Sequence, residues 1–234
     1  SRLFTTVSAI TLLTGTAALA DAPKVVADIA PVHSLVSRVM DGIGKPDLIV
    51  PNETSPHDYR LRPADAEALE NAGLVFWMGE GLTPWMERAL DTLSGDAPVI
   101  ELLALDETNT LPFREGALFD AHDHDDHDDH DKEHDDHDDH DDHGHDDHAG
   151  HDHGEFDPHA WLSTDNARTW LNVIAAKLSS TDPANAGGYF SNASEAITEL
   201  DALDKEVNEM LDPVRGGKFI VFHDAYQYFE TVYD

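Results

Sequence analysis

Pro63-Ala64-Asp65-Ala66-Glu67-Ala68-Leu69-Glu70-Asn71-Ala72-Gly73-Leu74-Val75-Phe76-Trp77-Met78 reads as a short helix that stops and passes directly into a buried strand. Pro63 suits a first helical turn, where its missing N–H leaves nothing unpaired, and Gly73 marks the stop before the apolar run 74–78. Similar runs occur at Lys24-Val25-Val26-Ala27-Asp28-Ile29, Asp47-Leu48-Ile49-Val50 and Pro98-Val99-Ile100-Glu101-Leu102. Helix-like segments lie between them at 31–40, 63–72 and 84–94. Short apolar strands alternating with helices specify an α/β fold with a parallel sheet covered on both faces.

Toward the carboxyl end, Thr164–Ser179 reads as a helix with Trp170, Leu171, Ile174, Ala175 and Leu178 on one face. Asp182-Pro183 opens a longer helix to residue 211, with Phe190, Ala193, Ile197, Leu200, Leu203, Val207 and Leu211 at spacings of three and four. Gly187-Gly188 weakens its first turns, so a start nearer Tyr189 is also open. Phe219-Ile220-Val221-Phe222 then reads as a new buried strand, and with so little chain behind it the expectation is an incomplete second lobe. At the other end, residues 1–20 read as a secretory signal cleaved near Ala20, after the small-x-small pattern Ala18-Leu19-Ala20. The mature protein is expected in the periplasm. A lipid anchor would need a Cys after the cleavage site, and none is there.

Among 234 residues, 48 acidic and 14 basic side chains leave a net charge of -34, which excludes nucleic acid as a partner and suits a cation. The chain has no Cys, so thiolate metal sites, disulfides and cysteine catalysis are excluded. A metal must use His, Asp, Glu or water. Residues 120–153 hold 12 of the 16 His and 17 of the 48 acids. The imidazoles are His122, His124, His127, His130, His134, His137, His140, His143, His145, His148, His151 and His153. With almost nothing apolar to bury, this stretch is expected to lack order without metal and to collect divalent ions such as zinc, nickel or copper at low affinity. It can sit within a folded lobe, because each doubling of loop length costs only about 0.6 kcal/mol.

Four histidines remain. His57 follows the strand ending at Val50, His159 lies between the His/Asp stretch and a helix, and His223 follows the run 219–222. Open α/β sheets place ligands at the carboxyl ends of strands, and three neutral imidazoles plus water or a carboxylate make a common zinc shell. The spacings alone do not decide whether the three converge. Asp58, Asp157 and Asp224 each neighbour one of them and are candidates to fix an imidazole tautomer or cap a helix. Glu53 is a further nearby carboxylate. His33 is either an auxiliary ligand or a helix-start residue. Trp77, Trp85, Trp161 and Trp170 read as core or cleft-wall residues.

The segments Ser55-Pro56-His57-Asp58-Tyr59, Arg62-Pro63-Ala64-Asp65, Asp157-Pro158-His159-Ala160-Trp161-Leu162-Ser163 and Val221-Phe222-His223-Asp224-Ala225-Tyr226-Gln227-Tyr228-Phe229 occur in that order. With Asn71-Ala72-Gly73-Leu74-Val75-Phe76-Trp77 and the His/Asp stretch, they resemble the zinc-type (ZnuA-type, cluster A-I) substrate-binding proteins of metal ABC transporters, from about Val25 to Asp234. The resemblance implies two α/β lobes bridged by one long rigid helix. Here that gives a first lobe over 21–181, the helix over 182–212 and the start of a second lobe over 213–234. It implies zinc as the transported ligand, held by His57 and His159 from the first lobe and His223 from the second, with a membrane permease as partner and a monomeric state. Some members carry an acid directly before the first histidine, where this chain has Pro56. Manganese-type relatives usually carry Glu at the third position, so His223 favours zinc. The competing classes are a zinc hydrolase, for which no His-Glu-x-x-His helix is present, and a metal buffer or storage protein that works through 120–153 alone.

Overall fold

The computed structural model describes residues 22–114 and 156–233. The expected signal segment, its cleavage site and all twelve histidines of 120–153 lie outside the described residues.

Strands β1 (Val25–Ala27), β2 (Asp47–Leu48), β3 (Leu74–Trp77) and β4 (Val99–Glu101) form a parallel sheet in the order β2-β1-β3-β4. Val26 lies opposite Asp47 and Val75, and Phe76 opposite Ile100. Every residue of β1 and β3 is buried, which is why they read as continuous apolar runs rather than as alternation. The chain crosses from β1 to β2 in one direction, then back past β1 to β3 and on to β4. Right-handed crossovers therefore put α1 (Ala30–Val39) on one face and α2 (Pro63–Glu70) and α3 (Pro84–Leu93) on the other. Accordingly α2 packs on α3, while α1 packs on α4 (Thr164–Thr181) and α5 (Ala186–Leu211).

The strand order reverses between β1 and β3, and the carboxyl side of that point is where such sheets hold ligands. Asp28 sits there, fully buried, with its carboxylate accepting from the N–H groups of Ile29 and Met78, both at 2.8 Å. It ties the ends of the two central strands together.

The stop after α2 does not use glycine's conformational freedom. Asn71 ends the helix at φ -97° and ψ 0°, and Gly73 donates its N–H to the Lys24 carbonyl at 2.8 Å. An added Cβ at Gly73 would meet that oxygen at 3.5 Å, an ordinary contact. Pairing with the chain entering β1 fixes the turn.

A 3-10 turn, Pro183–Asn185, leads into α5, which spans 26 residues, or about 39 Å at 1.5 Å per residue. Both glycines lie inside this helix, so its start is Ala186 rather than Tyr189. Asn192 donates to the carbonyls of Val39 and Asp41, each at 2.9 Å, closing the end of α1. Tyr189, Ala193 and Ala196 are buried against the lobe, but Leu203 and Met210 stand exposed farther along.

The expected strand at 219–222 does not form. Phe219, Ile220 and Phe222 are exposed, Ile220 at 100%. A strand needs a neighbour to complete its hydrogen bonds, and among the described residues none lies beside this run. The chain instead returns to the first lobe through α6 (Gln227–Tyr233), whose Tyr228 and Tyr233 are buried.

Candidate metal centre

His57 is carried on the loop between β2 and α2, and that loop is anchored at two points. Trp85 of α3 donates its indole N–H to the Pro56 carbonyl at 2.7 Å. Tyr59 packs on the Trp85 ring at 5.5 Å and donates its hydroxyl to Asp65 Oδ2 at 2.7 Å. Asp65 also receives the backbone N–H of Arg62 at 2.8 Å and its guanidinium at 2.8 Å. Burial works to raise the Asp65 pKa, but the bonds from Arg62 and Tyr59 outweigh it and the carboxyl stays below its ordinary value.

His159 precedes a 3-10 turn, Ala160–Leu162, whose following residue Ser163 caps α4 by accepting from the Asn166 N–H at 3.2 Å. Asn166 exchanges two 2.9 Å hydrogen bonds with the backbone of Asn109, and Trp170 donates to Thr108 Oγ1 at 2.9 Å. The stretch after β4 is thus stitched to α4, and an antiparallel bridge between Pro112 and Phe156 closes the neck of the intervening segment. Asp157, 2% exposed, accepts from the His159 backbone N–H at 2.9 Å and lies 2.7 Å from His159 Nδ1 through the same oxygen. A proton on Nδ1 leaves Nε2 as the free donor atom, aimed away from the acid.

His57, His159 and His223 come together. Each offers a ring nitrogen, and the three nitrogens lie within 4.8 Å of one another. The Nε2 atoms of His159 and His223 are 3.4 Å apart. Ring centroids are separated by 5.3 to 6.2 Å. His159 is buried, whereas His57 and His223 are exposed to a cavity of about 610 Å³ walled by Pro56, Trp161, Leu162, Phe222, Ala225 and Tyr226. The group contains three imidazoles and no carboxylate.

The neighbouring acids divide. Asp157 touches its histidine. Asp58 lines the cavity, and among the described residues no hydrogen bond joins it to a site imidazole. Asp224 turns away from His223 and pairs with Arg114, because a guanidinium is the stronger partner for a carboxylate. Glu53, exposed at φ 65°, stands outside the group. His33 is also outside it, with Nε2 3.1 Å from the Pro46 carbonyl oxygen. Of the tryptophans, Trp77 and Trp170 are core, while Trp85 and Trp161 flank the site. Sequence reading passed over Arg114 and Tyr228, both bonded to the site's supports. Arg114 had one visible signal: it is the sole Lys or Arg between Arg88 and Lys132.

Parallel strands with three imidazoles gathered beyond their carboxyl ends define an α/β protein with a candidate divalent-metal site. The chain belongs to the family described as ZnuA, zinc-uptake complex component A periplasmic, whose model matches residues 25–234. It is 51% identical over 212 residues to the high-affinity zinc uptake system protein ZnuA of Brucella abortus (strain 2308), a match covering 88% of this chain and 64% of that protein. The protein of the same name from Paracoccus denitrificans (strain Pd 1222) is 49% identical over 222 residues, covering 94% of this chain and 67% of the relative. A crystal structure of ZnuA matches the fold with a TM-score of 0.67 at 22% identity, over 91% of this chain and 68% of its own. A ZnuA deletion mutant with zinc bound gives 0.68 at 23%, over 91% and 67%. Among the described residues, no helix is long and apolar enough to cross a membrane.

Proposed function

We propose that this chain captures zinc in the periplasm, as a monomer exported by the segment 1–20, and presents it to the membrane permease of an ABC-type importer. The observation that carries this reading is the convergence of His57, His159 and His223 within 4.8 Å. In a tetrahedral zinc shell with Zn–N near 2.0–2.1 Å, neighbouring nitrogens stand about 3.3 Å apart. The His159–His223 pair, at 3.4 Å, already fits that spacing, and the His57 nitrogen lies within 4.8 Å of both. The cavity side leaves the fourth position to water or to a carboxylate. A donor set of imidazoles suits zinc better than manganese, which favours oxygen ligands.

The chain acts by binding rather than by chemistry. A zinc hydrolase needs a base beside the metal-bound water, and among the described residues the histidine group includes no carboxylate, the nearby Asp58 lining the cavity outside it. Its kinship to a protein named for high-affinity zinc uptake supports the same reading.

Replacing His57, His159 or His223 by Ala should each weaken tight zinc binding by orders of magnitude in a chelator-competition titration. His33→Ala should change it little. Unchanged affinity and an unchanged imidazole count by X-ray absorption in His223→Ala would remove the main support for the site.

A further inference from the structure

We infer that Arg114, together with the Tyr228 hydroxyl, positions His223 at the metal centre without itself touching the metal. This rests on the three-histidine reading above. Among the described residues, the segment carrying His223 forms no strand, and Phe219, Ile220 and Phe222 are exposed. The residues just after the histidine are bonded to the rest of the described fold. Arg114 grips Asp224 with both arms of its fork, Nε to Oδ2 at 3.0 Å and Nη2 to Oδ1, and reaches Glu230 Oε2 through Nη1 at 2.6 Å. The Arg114 side chain is 17% exposed, so solvent and salt screen these pairs less than ordinary surface ones. The Asp224 contact is next in sequence to His223, and the Glu230 contact fixes α6 behind it.

Tyr228 supplies the second restraint. Its hydroxyl accepts the Leu111 N–H at 2.9 Å and donates to the Asp157 carbonyl at 2.8 Å. Asp157 is the residue whose carboxylate lies against His159 Nδ1. The neck formed by Leu111, Pro112, Arg114, Phe156 and Asp157 therefore orients His159 directly and His223 through α6. Planar, bidentate geometry is what Arg offers and Lys lacks. His57 is carried by the loop whose Pro56 carbonyl accepts the Trp85 indole N–H.

Groups that orient metal ligands typically cost 10–100-fold in metal affinity when removed. Arg114→Ala should weaken tight zinc binding of the full chain by about that factor in chelator competition. X-ray absorption at substoichiometric zinc should show about two imidazoles instead of three, and the unfolding midpoint of the metal-free protein should move little. Arg114→Lys should restore only part of the affinity, and Tyr228→Phe should weaken it independently. The inference is overturned if Arg114→Ala keeps wild-type affinity and imidazole count while His223→Ala lowers both. It is also overturned if the affinity loss merely tracks a collapse of the metal-free unfolding midpoint, equal in Arg114→Lys. If His223→Ala too leaves both readings unchanged, the metal centre itself is misassigned and this inference falls with it.

Discussion

Asp28 shows how one side chain can both join the sheet and tax its stability. Its carboxylate accepts two strand-end N–H groups, which favours the charged form, but full burial outweighs them and pushes its pKa from 3.8 to about 7. Below about pH 4 the group is neutral both folded and unfolded. Between there and about pH 7 only the folded state keeps the proton, so stability contributed by this group declines as pH rises and levels off above about 7. Denaturant unfolding of the metal-free protein at pH 5 and pH 8 should therefore show a loss, on the order of a few kcal/mol, that Asp28→Ser largely abolishes. An identical pH slope in the variant would mean that the ends of β1 and β3 solvate this carboxylate better than their burial implies. Lys24-Val25-Val26-Ala27-Asp28-Ile29 announced a buried strand but gave no sign of this role, since which N–H groups meet Asp28 depends on β3, fifty residues away.

At the scale of elements, α5 separates local propensity from packing at two adjacent glycines. An added Cβ at Gly187 meets nothing within 4 Å, whereas at Gly188 it would lie 2.8 Å from Ile43 Cδ1. Gly187→Ala should stabilise the protein by about 0.5–1 kcal/mol, the ordinary advantage of Ala over Gly inside a helix. Gly188→Ala should gain less, because the Ile43 side chain must move aside. In a double-mutant cycle read by thermal unfolding, Ile43→Val should cost less in the Gly188→Ala background than in the wild type. Equal gains at the two glycines would show that the Ile43 turn yields freely. The helix itself was legible from its spacing of three and four, and so were α1 to α4. Its uncovered half was not: periodicity assigns a face to Leu203 and Met210 without saying what, if anything, lies against it.

For the whole molecule, the testable division is between the three-histidine centre and the His/Asp stretch. Removing residues 120–153 should lower the number of zinc ions bound per chain while one tight site remains, because His57, His159 and His223 all lie outside the deleted stretch and their supports at Arg114, Asp157 and Trp85 do too. Titration calorimetry in which the tight site vanished with the deletion would instead favour a metal buffer working through 120–153. The chain spans 64% of the length of its Brucella abortus relative, so the proposed delivery of zinc to a permease is best measured on a chain of the relative's full extent.

The parallel α/β lobe was legible residue by residue, since short apolar runs and intervening helices are local patterns with fixed periods. It also singled out the three histidines, through the motifs around them. That Asp157 serves His159 while Asp224 serves Arg114 emerged from the folded chain, because adjacency in sequence says nothing about which stronger partner lies across the fold. Among the described residues 219–222 has no ladder: an apolar run states that a segment could be buried, and whether it is depends on a neighbouring strand that must come from elsewhere in space.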